Sequence, residues 1–134
     1  MRLLLIDDDE TVARALERCL STEHEVRFEK NAAQAVDEIR AGERFDAILC
    51  DVVMPRMTGQ EVHEAVSSID REQARRIVFV SGRVHEVGCR IGKIACLPKP
   101  FELTELRSVI GRFLPIRLHG SSTSLRPARK PITS

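Results

Sequence analysis

The sequence predicts an α/β fold, a five-stranded parallel sheet with helices on both faces. Three observations carry this expectation. Residues 2–6, 45–50, 77–80 and 94–97 are short, mainly apolar runs, which suits strands buried on both faces. Segments with apolar residues at helical spacing lie between them. Strand and helix units alternate, which implies parallel pairing through right-handed crossovers.

Each element follows in order. After the first strand, residues 11–20 place Val12, Leu16, Cys19 and Leu20 on one helical face. Val26 and Phe28 alternate with charged residues, the pattern of an edge strand. Asn31-Ala32-Ala33-Gln34 resembles a capping box. The helix it opens turns Ala35, Val36 and Ile39 inward and stops at Gly42. A loop runs from Met54-Pro55 to Gly59, and residues 60–69 then carry Val62, Val66 and Ile69 on one side. Residues 84–92 hold Gly88 and Gly92, each lowering helix propensity by about 1 kcal/mol relative to Ala. The fourth helix is therefore expected to be short or irregular. Leu103, Leu106, Ile110 and Phe113 mark a last amphipathic helix, ended by Pro115.

The length of 134 residues suits one domain, and 43% hydrophobic with 31% charged residues is an ordinary globular balance. With five Phe and no Trp or Tyr, the core must rest on Leu, Ile, Val and Ala. The net charge of +1 is unevenly spread. Residues 1–51 carry 13 acids against 7 bases, and residues 52–134 carry 7 against 14. Asp7-Asp8-Asp9-Glu10 front-load the acidic half, as a local site would. Residues 115–134 are rich in Ser, Pro and Arg without periodicity. They are expected to form a disordered basic tail or linker remnant after a domain at 1–114. Nucleic acid is not expected as a partner of that tail.

No stretch approaches membrane-spanning length, and the run at 3–6 is too short for a signal sequence. Cys19, Cys50, Cys89 and Cys96 form neither a CxxC pair nor a disulfide framework. They read as reduced thiols in a cytoplasmic protein, mostly buried as small apolar groups. His24, His63, His85 and His119 lack metal-ligand spacing.

Ligands of open parallel sheets gather at the carboxyl ends of the strands. Those ends carry Asp7-Asp8, Asp51, Ser81 and Lys99. Three nearby carboxylates repel unless a cation sits among them, and hard oxygen ligands suit Mg²⁺. A carboxylate can attack phosphorus, while a metal and a lysine offset charge on the transferring oxygens. A hydroxyl can hydrogen-bond one of those oxygens. The plainer readings are acids favoured at a helix N-terminus, a turn serine and a surface lysine. They explain each residue singly but not the set.

The residues that form this set resemble the receiver domain of two-component response regulators. The matching segments are Leu4-Leu5-Ile6-Asp7-Asp8-Asp9, then Ile48-Leu49-Cys50-Asp51-Val52-Val53-Met54-Pro55 with Gly59, then Phe79-Val80-Ser81-Gly82, then Lys99-Pro100-Phe101. The resemblance covers about residues 1–114 and implies a flavodoxin-like, doubly wound (βα)5 fold. It implies Asp51 as phosphoryl acceptor, with Asp7, Asp8, Asp51 and the Val53 carbonyl as Mg²⁺ ligands. Ser81 would be the switch hydroxyl, Lys99 the phosphate-binding lysine, and Lys99–Pro100 a cis peptide. The implied partners are a sensor histidine kinase or phosphotransfer protein and an unnamed downstream protein, with a homodimer left open. The chain reads as a stand-alone receiver, or equally as a piece of a longer protein. The resemblance implies a switch rather than an enzyme with turnover on an external substrate.

The chain also departs from that pattern. The family often has an aromatic switch residue three positions before the lysine, where this chain has Cys96. The span from Ser81 to Lys99 is about one helical turn shorter than usual, which puts the face of the fourth helix and fifth strand in doubt as an output surface. Arg83 and Val53 are expected to tune hydrolysis of the phosphoryl group. Two alternatives follow. One is a pseudo-receiver that binds partners without phosphorylation. The other is a phosphatase similar to the haloacid dehalogenases, with Asp7 as nucleophile and Asp9 as general acid. That second reading needs further metal-binding acids, and only Glu102 and Glu105 follow Lys99.

Overall fold

A computed structural model describes residues 1–82, 90–91, 94–99 and 101–113. The elements run β1 (Arg2–Ile6), α1 (Glu10–Leu20), β2 (Glu25–Glu29), α2 (Ala32–Arg40), β3 (Ala47–Asp51) and α3 (Gly59–Ile69). They continue with α4 (Arg71–Ala74), β4 (Ile77–Ser81), β5 (Arg90–Ile91), β6 (Ile94–Pro98) and α5 (Leu103–Ile110). The sheet order is β2-β1-β3-β4-β6-β5. Five strands pair in parallel, as the alternating sequence pattern implies, and β5 adds a short antiparallel edge.

Strand parity sorts the core into two layers. Leu4, Ile6, Ile48, Cys50 and Phe79 face Val36 and Ile39 of α2 and Val62 and Val66 of α3. Leu3, Leu5, Leu49, Val78, Val80 and Leu97 face Leu20 of α1 and Leu106 and Ile110 of α5. Each fully buried Leu, Ile, Val or Phe contributes roughly 1.5–3 kcal/mol, so the sheet is fixed from both sides. β2 lies at the edge, as its alternation predicts, and pairs Val26 with Leu3 and Phe28 with Leu5.

The helix boundaries have local causes. Asp9 caps α1, its side chain accepting from the Thr11 and Val12 amides. Asn31 caps α2 through the Gln34 amide. Gly42 follows α2 at φ +115°, a conformation L side chains rarely adopt. Thr58 and Glu61 form a complete capping box on α3. Glu102 and Glu105 form another on α5.

Four expectations need correction or restriction. The inward face of α1 is Ala13, Leu16 and Leu20, while Val12 and Cys19 are exposed. Leu16 and Leu20 are common to both faces, so the buried face is turned from the expected one by only about half the 100° between successive residues, and periodicity alone does not choose between them. Cys50 and Cys96 are buried as expected, and Cys19 is not. The expected helix over 84–92 does not reach its end: Arg90–Ile91 is extended and pairs antiparallel with Ile94–Ala95. Only Gly92-Lys93 separate these strands in sequence, the spacing of a two-residue hairpin. The rest of that helix, Arg83, Cys89, Pro100 with its cis peptide, and the tail at 115–134 lie outside the described residues.

The short helix α4 was not apparent in the sequence. Asp70 caps it, accepting from the Glu72 and Gln73 amides. Gln73 is 1% exposed and reaches back to the start of β3. Its Oε1 accepts from the Phe45 amide and its Nε2 donates to the Phe45 carbonyl, both at 2.9 Å.

Candidate functional site

The carboxyl ends of β1, β3, β4 and β6 meet at one rim, across the point where strand order reverses. β1 delivers Asp7 and Asp8, β3 delivers Asp51, β4 ends in Ser81, and Lys99 follows β6. The ladder extends past the strands at this rim. Val52 N–H donates to the Val80 carbonyl at 3.2 Å, and Lys99 N–H donates to the Ser81 carbonyl at 2.8 Å.

Asp7 is held at both oxygens. The Asp9 amide donates to Oδ1 at 2.9 Å, and Lys99 Nζ lies 3.1 Å from Oδ2. The same Nζ lies 3.9 Å from Asp51 Oδ2, so one lysine stands between two acids. Asp8 is exposed beside them. One oxygen each from Asp7, Asp8 and Asp51 lies within 4.8 Å of the others, the only such group found among the described residues. Val53 sits at the mouth, 52% exposed, with its N–H 3.4 Å from Asp51 Oδ1. Ser81 is 2% exposed and sits at the end of β4.

Burial pushes the Asp51 carboxyl above the usual carboxylate range. Lys99 pulls it back down, Asp7 and Asp8 push it up, and the Val53 amide lowers it. The proton is thus held more tightly in the folded chain than in the unfolded one. Stability from this group falls as pH rises through its folded pKa, and the ionised form weakens the fold. Asp51→Asn should therefore raise the melting temperature near neutral pH in metal-free buffer, with the gain shrinking toward pH 4. Thermal denaturation across that range is the check. A difference that does not change with pH would show that the ionised carboxylate is no burden.

Two residues shape the site without being evident in the motifs as reacting groups. Gly59, the first residue of α3, packs onto the acceptor strand. A Cβ there would stand 2.8 Å from the Asp51 carbonyl oxygen, 3.0 Å from Val52 Cα and 3.1 Å from Phe79 Cε1. Gly59 N–H also donates to the Val52 carbonyl at 2.9 Å, which closes the loop over residues 53–58. Cys96, three positions before Lys99, is 5% exposed and pairs across the sheet with Phe79. Asp9, Glu102 and Glu105 are spent on helix caps.

Comparison with known proteins agrees with this geometry. Residues 3–111 match the response regulator receiver domain family. The response regulator MprA of Mycobacterium avium (strain 104) is 32% identical over 146 residues, covering 99% of this chain and 64% of that protein. MprA of Mycobacterium bovis (strain BCG / Pasteur 1173P2) is 36% identical over 109 residues, covering 79% of this chain and 47% of that protein. The chain thus spans from about half to under two thirds of the length of these relatives. Among solved structures, the Vibrio cholerae chemotaxis protein CheY4 is 27% identical with a TM-score of 0.69, covering 84% of this chain and 98% of that one. The receiver domain of the sensor histidine kinase PA1611 from Pseudomonas aeruginosa PAO1, solved with a magnesium ion coordinated in its active-site cleft, is 26% identical. Its TM-score is 0.67, with 84% of this chain and 95% of that one covered. Given a family match over nearly all the described residues and a doubly wound sheet bearing acids at its switch point, this chain belongs to the response regulator receiver domain family.

Proposed function

We propose that the chain is a phosphorylation-dependent signalling switch with Asp51 as phosphoryl acceptor. The observation that carries this reading is the joint approach of Lys99 to Asp7 and Asp51, with oxygens of Asp7, Asp8 and Asp51 within 4.8 Å. A half-buried carboxylate facing other carboxylates and a shared ammonium fits an acceptor better than a structural ion pair.

A carboxylate oxygen of Asp51 attacks the phosphorus of a phosphohistidine on a sensor histidine kinase or phosphotransfer protein. The O–P bond forms as the P–N bond breaks, and the imidazole leaves with the electron pair and takes a proton. Lys99 holds the phosphoryl oxygens from one side, and the Ser81 hydroxyl reports them from β4. The donor set of hard oxygens fits Mg²⁺, with Asp7, Asp8, Asp51 and the Val53 carbonyl as ligands. When bound, the ion neutralises charge building on the phosphoryl oxygens. The chain supports its own phosphorylation and dephosphorylation rather than turnover on an external substrate, and works in the cytoplasm. A downstream protein reads the state, through a face altered at Cys96 and β5.

Incubation with Mg²⁺ and acetyl phosphate, followed by intact-mass measurement, tests the reading. The wild type should gain one phosphoryl group and Asp51→Asn none. Labelling retained in Asp51→Asn would favour Asp7 as nucleophile and a phosphatase-like reaction. An unlabelled, folded wild type would favour a pseudo-receiver, the reading that Cys96 in place of an aromatic supports.

A further inference from the structure

A cavity opens beside the acid cluster. It encloses about 640 Å³, within the roughly 300–1,000 Å³ of small-molecule sites. The turn from β2 into α2 supplies one wall, with Lys30 and Ala32. The loop between β3 and α3 supplies the other, with Met54, Arg56 and Met57. Asp8 lies at the end nearest the acid cluster.

The lining combines an apolar floor with two free cations. Ala32 and Met54 are each 7% exposed, and Met57 is half-buried. Two acids also border the cavity, Glu61 and the exposed Asp8. Glu61 accepts the Thr58 amide at 2.8 Å in its capping box, and an Asp8 oxygen sits with those of Asp7 and Asp51. Lys30 and Arg56 are exposed and make no ion pair among the described residues. Methionine side chains adapt to varied apolar shapes, so the floor does not demand one outline. A neutral ligand would leave both cations unmatched, and a cation would be repelled by them.

We propose that this cavity is a binding site for a small organic anion with an apolar body. Lys30 and Arg56 hold its carboxylate, phosphate or sulfonate, and Met54, Met57 and Ala32 carry the body.

The full chain can be titrated with 1-anilinonaphthalene-8-sulfonate, which has this chemistry, and with neutral N-phenyl-1-naphthylamine, which lacks the sulfonate. Saturable one-site binding of the sulfonate is expected in the natively folded protein. Lys30→Gln/Arg56→Gln should weaken it at least tenfold and leave the neutral dye unchanged. Met57→Glu should weaken both, and Arg18→Gln on α1 neither. Of the three methionines, the methyl signals of Met54 and Met57 should shift on binding while that of Met1 does not. Equal sulfonate binding in the double variant, a shift confined to Met1, or multi-site binding would overturn the assignment.

Discussion

Replacing Lys99 with methionine is expected to slow labelling of Asp51 by acetyl phosphate by about 10²–10³-fold, the loss typical when one preorganised charge partner of a transition state is removed. Methionine keeps most of the apolar stem and removes only the ammonium. The geometry makes the effect large. Nζ lies 3.1 Å from Asp7 and 3.9 Å from Asp51, and these acids have no other cation among the described residues. Without it, burial and the repulsion from Asp7 and Asp8, which already raise the Asp51 pKa, lose their main counterweight, so the variant should also melt lower in metal-free buffer. Added Mg²⁺ should restore more of that loss than it adds to the wild type. Saturation at 100 times the dissociation constant is worth about 2.7 kcal/mol. Time-resolved intact mass and melting curves with and without Mg²⁺ measure both parts. Labelling at the wild-type rate would remove Lys99 from the reaction.

Gln73→Leu should destabilise the fold by about 2–4 kcal/mol, although residue 73 is remote from the rim. Its amide pairs with both the N–H and C=O of Phe45, in a place only 1% exposed. Leucine fits the volume but strands two buried backbone groups, each worth roughly 1–3 kcal/mol when left unsatisfied. Urea unfolding should show a lower midpoint with an unchanged slope, because the folded and unfolded surfaces stay similar. Gln73→Glu should fare as badly, since a carboxylate can accept from the Phe45 amide but repels its carbonyl. A shift under 1 kcal/mol for Gln73→Leu would mean that the clip contributes little.

How far the sequence reached depended on the scale of each feature. The buried strands were legible because a parallel strand covered on both faces shows as a mainly apolar run. The acids and the lysine were legible because they stand where those runs stop. Asp9 caps α1, in keeping with acids being favoured at a helix N-terminus. Short elements were not readable. α4 spans four residues and β5 two, too few for a period to emerge. Gln73 looks like any polar helix residue until Phe45 is seen against it. Gly59 appeared among the motifs, but its close approach to the Asp51 carbonyl comes from packing that spacing does not encode. Lys30 and Arg56 lie 26 positions apart, and only the fold sets them around one cavity.

The backbone bonds at the rim also have a mechanical meaning. Val52 is laced to Val80, and Lys99 to Ser81, so three strand ends form one stiff plate rather than separate fingers. A plate of this kind keeps its spacings whatever is attached to it. A phosphoryl group on Asp51 would therefore be felt as a change in which side chains rotate and which loops settle, and not as a bend travelling through the sheet. The message would be local, and its reach would be set by the loops that border the plate.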